Sequence, residues 1–193
     1  VDQELKGLEL SSANSINVGR LLPQAVYYFY AHSRVAPGGE KVVFSVPSGN
    51  FGDLMGGLIA LKLGLPVKKF VAATNENDEF PRFMQTGVYE PIRPSKNCIS
   101  NAMNVGHPSN LARLFSLYGG QMDETGQVAR QPDLSARREE IYAVSISDEE
   151  TRQTIREAYS QYKVLLEPHG AVGWAGLVRY LKEFGDWSPA VSL

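Results

Sequence analysis

Val42-Val43-Phe44-Ser45-Val46-Pro47-Ser48-Gly49-Asn50-Phe51-Gly52-Asp53 runs from an almost wholly apolar stretch straight into a glycine-bearing turn. Val42 to Val46 has the composition of a strand covered on both faces. Pro47 ends it, because proline has no N–H for the ladder. Leu54 to Leu63 then predicts a helix, with Gly64 as its left-handed cap and Pro66 barring continuation. Phe70 to Ala73 predicts a second strand. Strand, glycine turn, helix, strand: the default is a parallel pair with a right-handed crossover.

Working outward, Leu21, Leu22, Ala25, Val26 and Phe29 have the spacing of an amphipathic helix starting near Val18, in which Pro23 either kinks the helix or sets its start a turn later. On the other side, Ile141 to Ile146 reads as strand, and Ser147 with Glu150 forms a capping box for a helix ending near Tyr162. Val164 to Leu166 reads as a brief strand and Ala171 to Phe184 as a last helix. Residues 75–140 are rich in Asn, Pro, Gly and Arg and read as a loop-rich insertion, with short helices near Glu79 to Gln85 and Asn110 to Tyr118. Met122 to Glu139 is polar and expected to be mobile. The fold class is α/β with a parallel sheet, and residues 1–193 form a single region.

Composition narrows the function. With 43% hydrophobic and 21% charged residues the chain is an ordinary globular one. Nineteen basic against twenty-one acidic side chains, with no basic stripe, argue against a nucleic-acid partner. No apolar run is long enough to cross a membrane, and VDQELKGLEL has neither the basic start nor the apolar core of a signal peptide. The single Cys98 excludes an internal disulfide, fits a reducing, cytoplasmic setting, and reads as an inert packed thiol. His32 and His107 have no partners at metal-ligand spacing, so no metal site is expected. No Gly-x-Ser-x-Gly elbow supports hydrolase chemistry.

The turn itself suits an anion. A helix N-terminus offers unpaired N–H groups and the positive end of its dipole, so it can hold a phosphate without a cationic side chain. Gly49 and Gly52 are expected to take positive φ and let the backbone approach the anion, with Ser48 and Asn50 adding donors. The plainer reading is a tight turn with Asn50 or Asp53 as helix cap. Neither the nucleotide-triphosphate loop nor the G-x-G-x-x-G dinucleotide pattern is present. Asp53 disfavours a free, highly charged anion and suits a ligand whose phosphate is only one end.

Four segments carry a resemblance. They are Val46 to Asp53; Asn14-Ser15-Ile16-Asn17 through Arg20-Leu21-Leu22; Asn101-Ala102-Met103-Asn104-Val105-Gly106 with Pro108-Ser109-Asn110; and Glu167-Pro168-His169-Gly170-Ala171-Val172-Gly173. In that combination they resemble the threonine synthase family, pyridoxal-phosphate enzymes of the tryptophan-synthase-like fold type II. The resemblance implies conversion of O-phospho-L-homoserine and water to L-threonine and phosphate by γ-elimination and β-addition, a lyase reaction of threonine biosynthesis. It also implies roles. The N–H groups of Gly49, Asn50, Phe51, Gly52 and Asp53 would cradle the phosphate of pyridoxal 5'-phosphate, with Ser48 alongside. Ser15 and Arg20 would meet the substrate's phosphate, where a guanidinium fork suits the dianion; otherwise Ser15 is a helix cap and Arg20 a solvated arginine. Glu167 and His169 either lie beside the cofactor ring or cap the last helix.

The family's Schiff-base lysine lies in an upstream Phe-Lys-Asp segment, and none of Lys6, Lys41, Lys62, Lys68, Lys69, Lys96, Lys163 or Lys182 has that context. The family's C-terminal segment, which contacts the pyridine nitrogen, has no counterpart either. The chain opens on Val1 rather than Met. An internal piece of a threonine synthase is therefore expected, inactive by itself. The alternatives are another fold type II enzyme such as a threonine dehydratase, or a non-catalytic phosphate-binding relative. Oligomeric state is not legible.

Overall fold

The computed structural model describes Gly7, Asn14 and residues 17–193. Its centre is a four-stranded parallel sheet of β1 (Val42–Pro47), β2 (Val67–Thr74), β5 (Ile141–Ser145) and β6 (Ala190–Ser192), in the order β5-β2-β1-β6. Phe44 sits opposite Phe70, and Val71 opposite Tyr142. Successive residues face opposite sides, so Phe44, Val46, Phe70 and Ala72 join one core while Val43, Val71 and Ala73 join another.

Helices α1 (Leu21–Val35) and α2 (Gly52–Lys62) cover the first face; α7 (Pro168–Phe184) covers the second, with α6 (Asp148–Tyr162) packed against it. The result is a three-layer α/β core. Tyr28 of α1 fills the centre of the first layer, with its ring 5.1 Å from that of Phe44 and 5.9 Å from that of Phe70. On the second face α7 approaches the sheet closely through Gly176, where a Cβ would lie 2.7 Å from the Ala73 Cβ.

A 3-10 turn, Val18–Arg20, precedes α1, and Pro23 falls in the first turn, where its missing N–H costs nothing. The Ser147–Glu150 capping box is present and α6 ends at Tyr162. One strand reading needs correction. Val164 to Leu166 is not a strand: it pairs with no other strand among the described residues, and Leu165 is 78% exposed. The fourth strand is β6, too short and too close to Pro189 to show a pattern.

Between β2 and β5 lie α3 (Glu79–Thr86), α4 (Leu111–Leu117), a two-stranded antiparallel ribbon of β3 (Gln121–Met122) and β4 (Val128–Arg130), and α5 (Leu134–Glu140). Phe83 and Phe115 stack at 4.8 Å, and the fully buried Arg137 lays its guanidinium 4.3 Å over the Phe83 ring. Burial pushes that group down to about 10. The polar stretch from Met122 to Glu139 thus holds a ribbon and a helix that composition alone did not show.

Candidate functional site

At the carboxyl end of β1, Ser48 N–H donates to Ala73 O at 2.7 Å, tying the turn to β2. Its hydroxyl turns back and donates to Val46 O at 2.8 Å, so its proton is taken up by the strand. The left-handed residue is Phe51, with φ 60° and ψ 14°; neither Gly49 nor Gly52 has a positive φ. Phe51 is held in this costly conformation by burial against Phe80, ring centroids 4.8 Å apart. Gly49 is needed for space: a Cβ there would stand 2.8 Å from Met103 Cα.

Among the described residues no side-chain cap bond closes the start of α2, and Asn50 Oδ1 accepts from Ser109 instead. Among the described residues, the backbone N–H groups of Gly49, Phe51, Gly52 and Asp53 donate to no protein acceptor. They form a row of donors at the positive end of an eleven-residue helix. Asp53 is half-buried and its Oδ1 has no partner. Burial raises its carboxyl from the ordinary range, against the opposing effect of a Tyr28 hydrogen bond. That shift favours the neutral form, the one that repels an anion least.

The row is held from outside by three segments. Ser109 donates to Asn50 Oδ1 through N (2.6 Å) and Oγ (2.9 Å), and Asn110 Nδ2 donates to Asn50 O at 2.9 Å. Asn110 in turn accepts from Arg113. Behind them Asn75, directly after β2, donates through Nδ2 to Ser100 Oγ (3.1 Å) and Asn104 Oδ1 (2.9 Å), which fixes the 3-10 turn Asn101–Met103. The third segment is the start of α7. Glu167 caps that helix by accepting from His169 N (2.9 Å) and Gly170 N. Burial pushes the Glu167 carboxyl up, but these bonds outweigh it and hold it below its usual range. His169 Nε2 accepts the Ala102 N–H at 3.1 Å.

The sequence-predicted residues Ser48 to Asp53, Glu167 and His169 therefore converge on one place, the last two through a helix N-terminus and not through a sheet edge. Arg20 is exposed at the end of the 3-10 turn that Asn17 caps by accepting Gly19 N–H at 2.9 Å. Ser15 lies outside the described residues. Sequence reasoning quoted Ser109 and Asn110 without giving them a role and passed over Asn75, whose only local signal was an amide side chain directly after a buried strand. Cys98 is buried, and burial raises its thiol. Among the described residues no cluster of His, Cys, Asp or Glu fits a metal, and no helix is long and apolar enough to cross a membrane.

Open amides at a helix N-terminus beside the carboxyl end of a parallel strand lie where α/β proteins commonly bind phosphate-bearing ligands. The chain belongs to the family of pyridoxal-phosphate dependent enzymes, whose pattern matches residues 24–193. It is 43% identical over 187 residues to the threonine synthase of Serratia marcescens, an alignment covering 94% of this chain and 39% of that protein. The solved PLP-bound threonine synthase from Brucella melitensis superposes with a TM-score of 0.87 at 34% identity, covering 100% of this chain and 43% of that one. The Escherichia coli threonine synthase structure gives 0.78 at 42% identity over 93% of this chain and 39% of its own. The chain thus spans about two fifths of the length of the relatives it matches.

Proposed function

We propose that this chain is the phosphate-gripping part of a threonine synthase, which converts O-phospho-L-homoserine and water to L-threonine and phosphate. The observation that carries the reading is the row of open N–H groups at Gly49, Phe51, Gly52 and Asp53. The residues fit the cofactor: Gly49 has no Cβ, no side chain among the described residues caps the helix tip, and Asp53 is biased toward its neutral form. When bound, pyridoxal phosphate supplies the electron sink for carbanions at the substrate's Cα and Cβ.

This chain's own part is to bind and orient. Main-chain amides take the cofactor's phosphate, and Ser109 and Asn110 keep Asn50 from swinging into that space. Arg20 and Ser15 take the phosphate of the substrate, a group that a dehydratase substrate lacks; identities of 34 to 43% to threonine synthases support that choice. Residues 75–140 form an insertion between the two βα units, and its 101–110 stretch walls the cradle. The protein works in the cytoplasm, in keeping with one buried thiol.

We read the chain by itself as unable to turn over substrate. Lys62, Lys68, Lys69, Lys96 and Lys163 are engaged away from the cradle, with Glu140, Asp186, the Arg138 and Glu139 carbonyls, Asp78 and Ser160 O respectively. The test is to titrate the chain with pyridoxal 5'-phosphate and with pyridoxal, then reduce with borohydride and map any labelled lysine. Phosphate-dependent binding without a stoichiometrically labelled lysine is expected. Equal binding of the two compounds refutes the cradle; one fully labelled lysine together with threonine formation refutes the inactivity.

A further inference from the structure

We propose that His169 is a positioning residue: as a neutral imidazole protonated on Nδ1, it latches the Asn101–Met103 turn against Gly49 and so fixes the outer wall of the amide cradle. The inference rests on the phosphate reading above. The turn has one apolar anchor, Met103, which is 4% exposed; Asn101 and Ala102 are exposed. Asn75 secures the two ends of the turn through Ser100 and Asn104. Beyond the turn's own backbone bonds, from Met103 N–H to Ser100 O and Asn104 N–H to Asn101 O, its tip is tied to the rest of the protein by the 3.1 Å bond from Ala102 N–H to His169 Nε2.

That bond fixes the tautomer. An amide N–H can only donate, so Nε2 must be the bare nitrogen and Nδ1 must carry the proton. Nδ1 lies 2.5 Å from Glu167 Oε2, an acceptor for that proton. Glu167 is itself immobilised by the N–H groups that open α7, a helix of seventeen residues packed on the sheet. The chain of contacts runs from the helix tip through Glu167 and the imidazole to Ala102, and from Met103 to Gly49, whose N–H opens the donor row. Met103 Cα would meet a Gly49 Cβ at 2.8 Å, so the turn rests close on the bare glycine, and the latch stops it moving outward.

His169→Phe keeps the ring and removes the acceptor; His169→Gln puts an amide oxygen where Nε2 stands. The measurements are amide hydrogen exchange at Ala102 and Gly49, and affinity for pyridoxal 5'-phosphate and for inorganic phosphate, with a denaturant midpoint to show that each variant is folded. The expected result for His169→Phe is loss of protection at Ala102, altered exchange at Gly49 and about five- to tenfold weaker binding of both probes, the equivalent of one hydrogen bond. His169→Gln restores all three. Equal behaviour of the two variants overturns the latch, as does lost protection at Ala102 with unchanged binding. If the wild-type chain binds neither probe, the phosphate reading fails separately; the latch is then judged on exchange, and a Gly49 amide indifferent to His169→Phe overturns it.

Discussion

Replacing Glu79 by glutamine tests the costliest buried carboxyl beside the site. Glu79 opens α3, next to the Phe80 that holds Phe51, and is 1% exposed with Oε2 lacking any partner. Burial pushes its carboxyl from 4.5 to about 7, with Arg82 and Lys96 too weak to offset it. A folded value above the unfolded one means the proton is held more tightly in the native state. Stability from this group is therefore full below pH 4.5 and is lost as pH rises through about 7. At about 1.4 kcal/mol per tenfold, the ionised form costs roughly 3 kcal/mol at pH 8, and residual structure in the unfolded chain trims that by a few tenths of a kcal/mol. Urea unfolding of both proteins from pH 4.5 to 8.5 supplies the assay, and the difference between them cancels every other titrating group. Glu79→Gln should match the wild type at pH 4.5 and exceed it by about 2–3 kcal/mol at pH 8. Parallel curves across that range would refute the reasoning, because the carboxyl would then titrate alike in both states.

Phe51→Gly sets two effects against each other: relief of the left-handed backbone, worth about 1–2 kcal/mol, and loss of a buried ring, worth about 3–5. The variant should be destabilised by roughly 2 kcal/mol in a denaturant melt, and equal stability would show that the Phe80 contact is not what holds the turn. Asp186 is buried and accepts from Lys68 (2.8 Å), Ser188 N (3.0 Å) and the Tyr180 hydroxyl (3.1 Å). Burial pushes its carboxyl up, but those bonds outweigh it and hold it well below the usual range, so its stabilisation is present above about pH 4 and lost as pH falls further. Asp186→Asn should cost about 1–3 kcal/mol at pH 7 and flatten the acid limb, as unfolding at pH 3 and 7 would show.

The sequence revealed what is local. The β1–turn–α2–β2 unit was legible because a fully apolar strand, a glycine turn and a Gly64–Pro66 stop follow in order, and the α6 start because a capping box needs only Ser147 and Glu150. What stayed hidden is non-local. No propensity would place a phenylalanine at φ 60°; it is tolerated because Phe80, twenty-nine positions on, encloses the ring. Val164 to Leu166 misled because three apolar residues read as buried, whereas Leu165 faces solvent. The His169–Ala102 bond joins residues 67 positions apart, beyond any spacing rule.

The places where local rules fail coincide. An eleven-residue helix begins without a cap, a bulky residue is left-handed at its threshold, and a carboxylate beside them has an orphan oxygen. Each costs stability. Helices α5, α6 and α7 are capped by Asp133, Ser147 and Glu167, whereas α1, α3 and α4, like α2, have no side-chain cap among the described residues. Asn50, the side chain best placed to close the tip, instead offers Oδ1 to Ser109. What sets α2 apart from the other uncapped helices is the left-handed Phe51 at its threshold together with the Asn50 amide drawn away to Ser109, a concentration of local costs of the kind found at sites. The four N–H groups that donate to no acceptor among the described residues lie at the positive end of a helix dipole, where an anion is favoured.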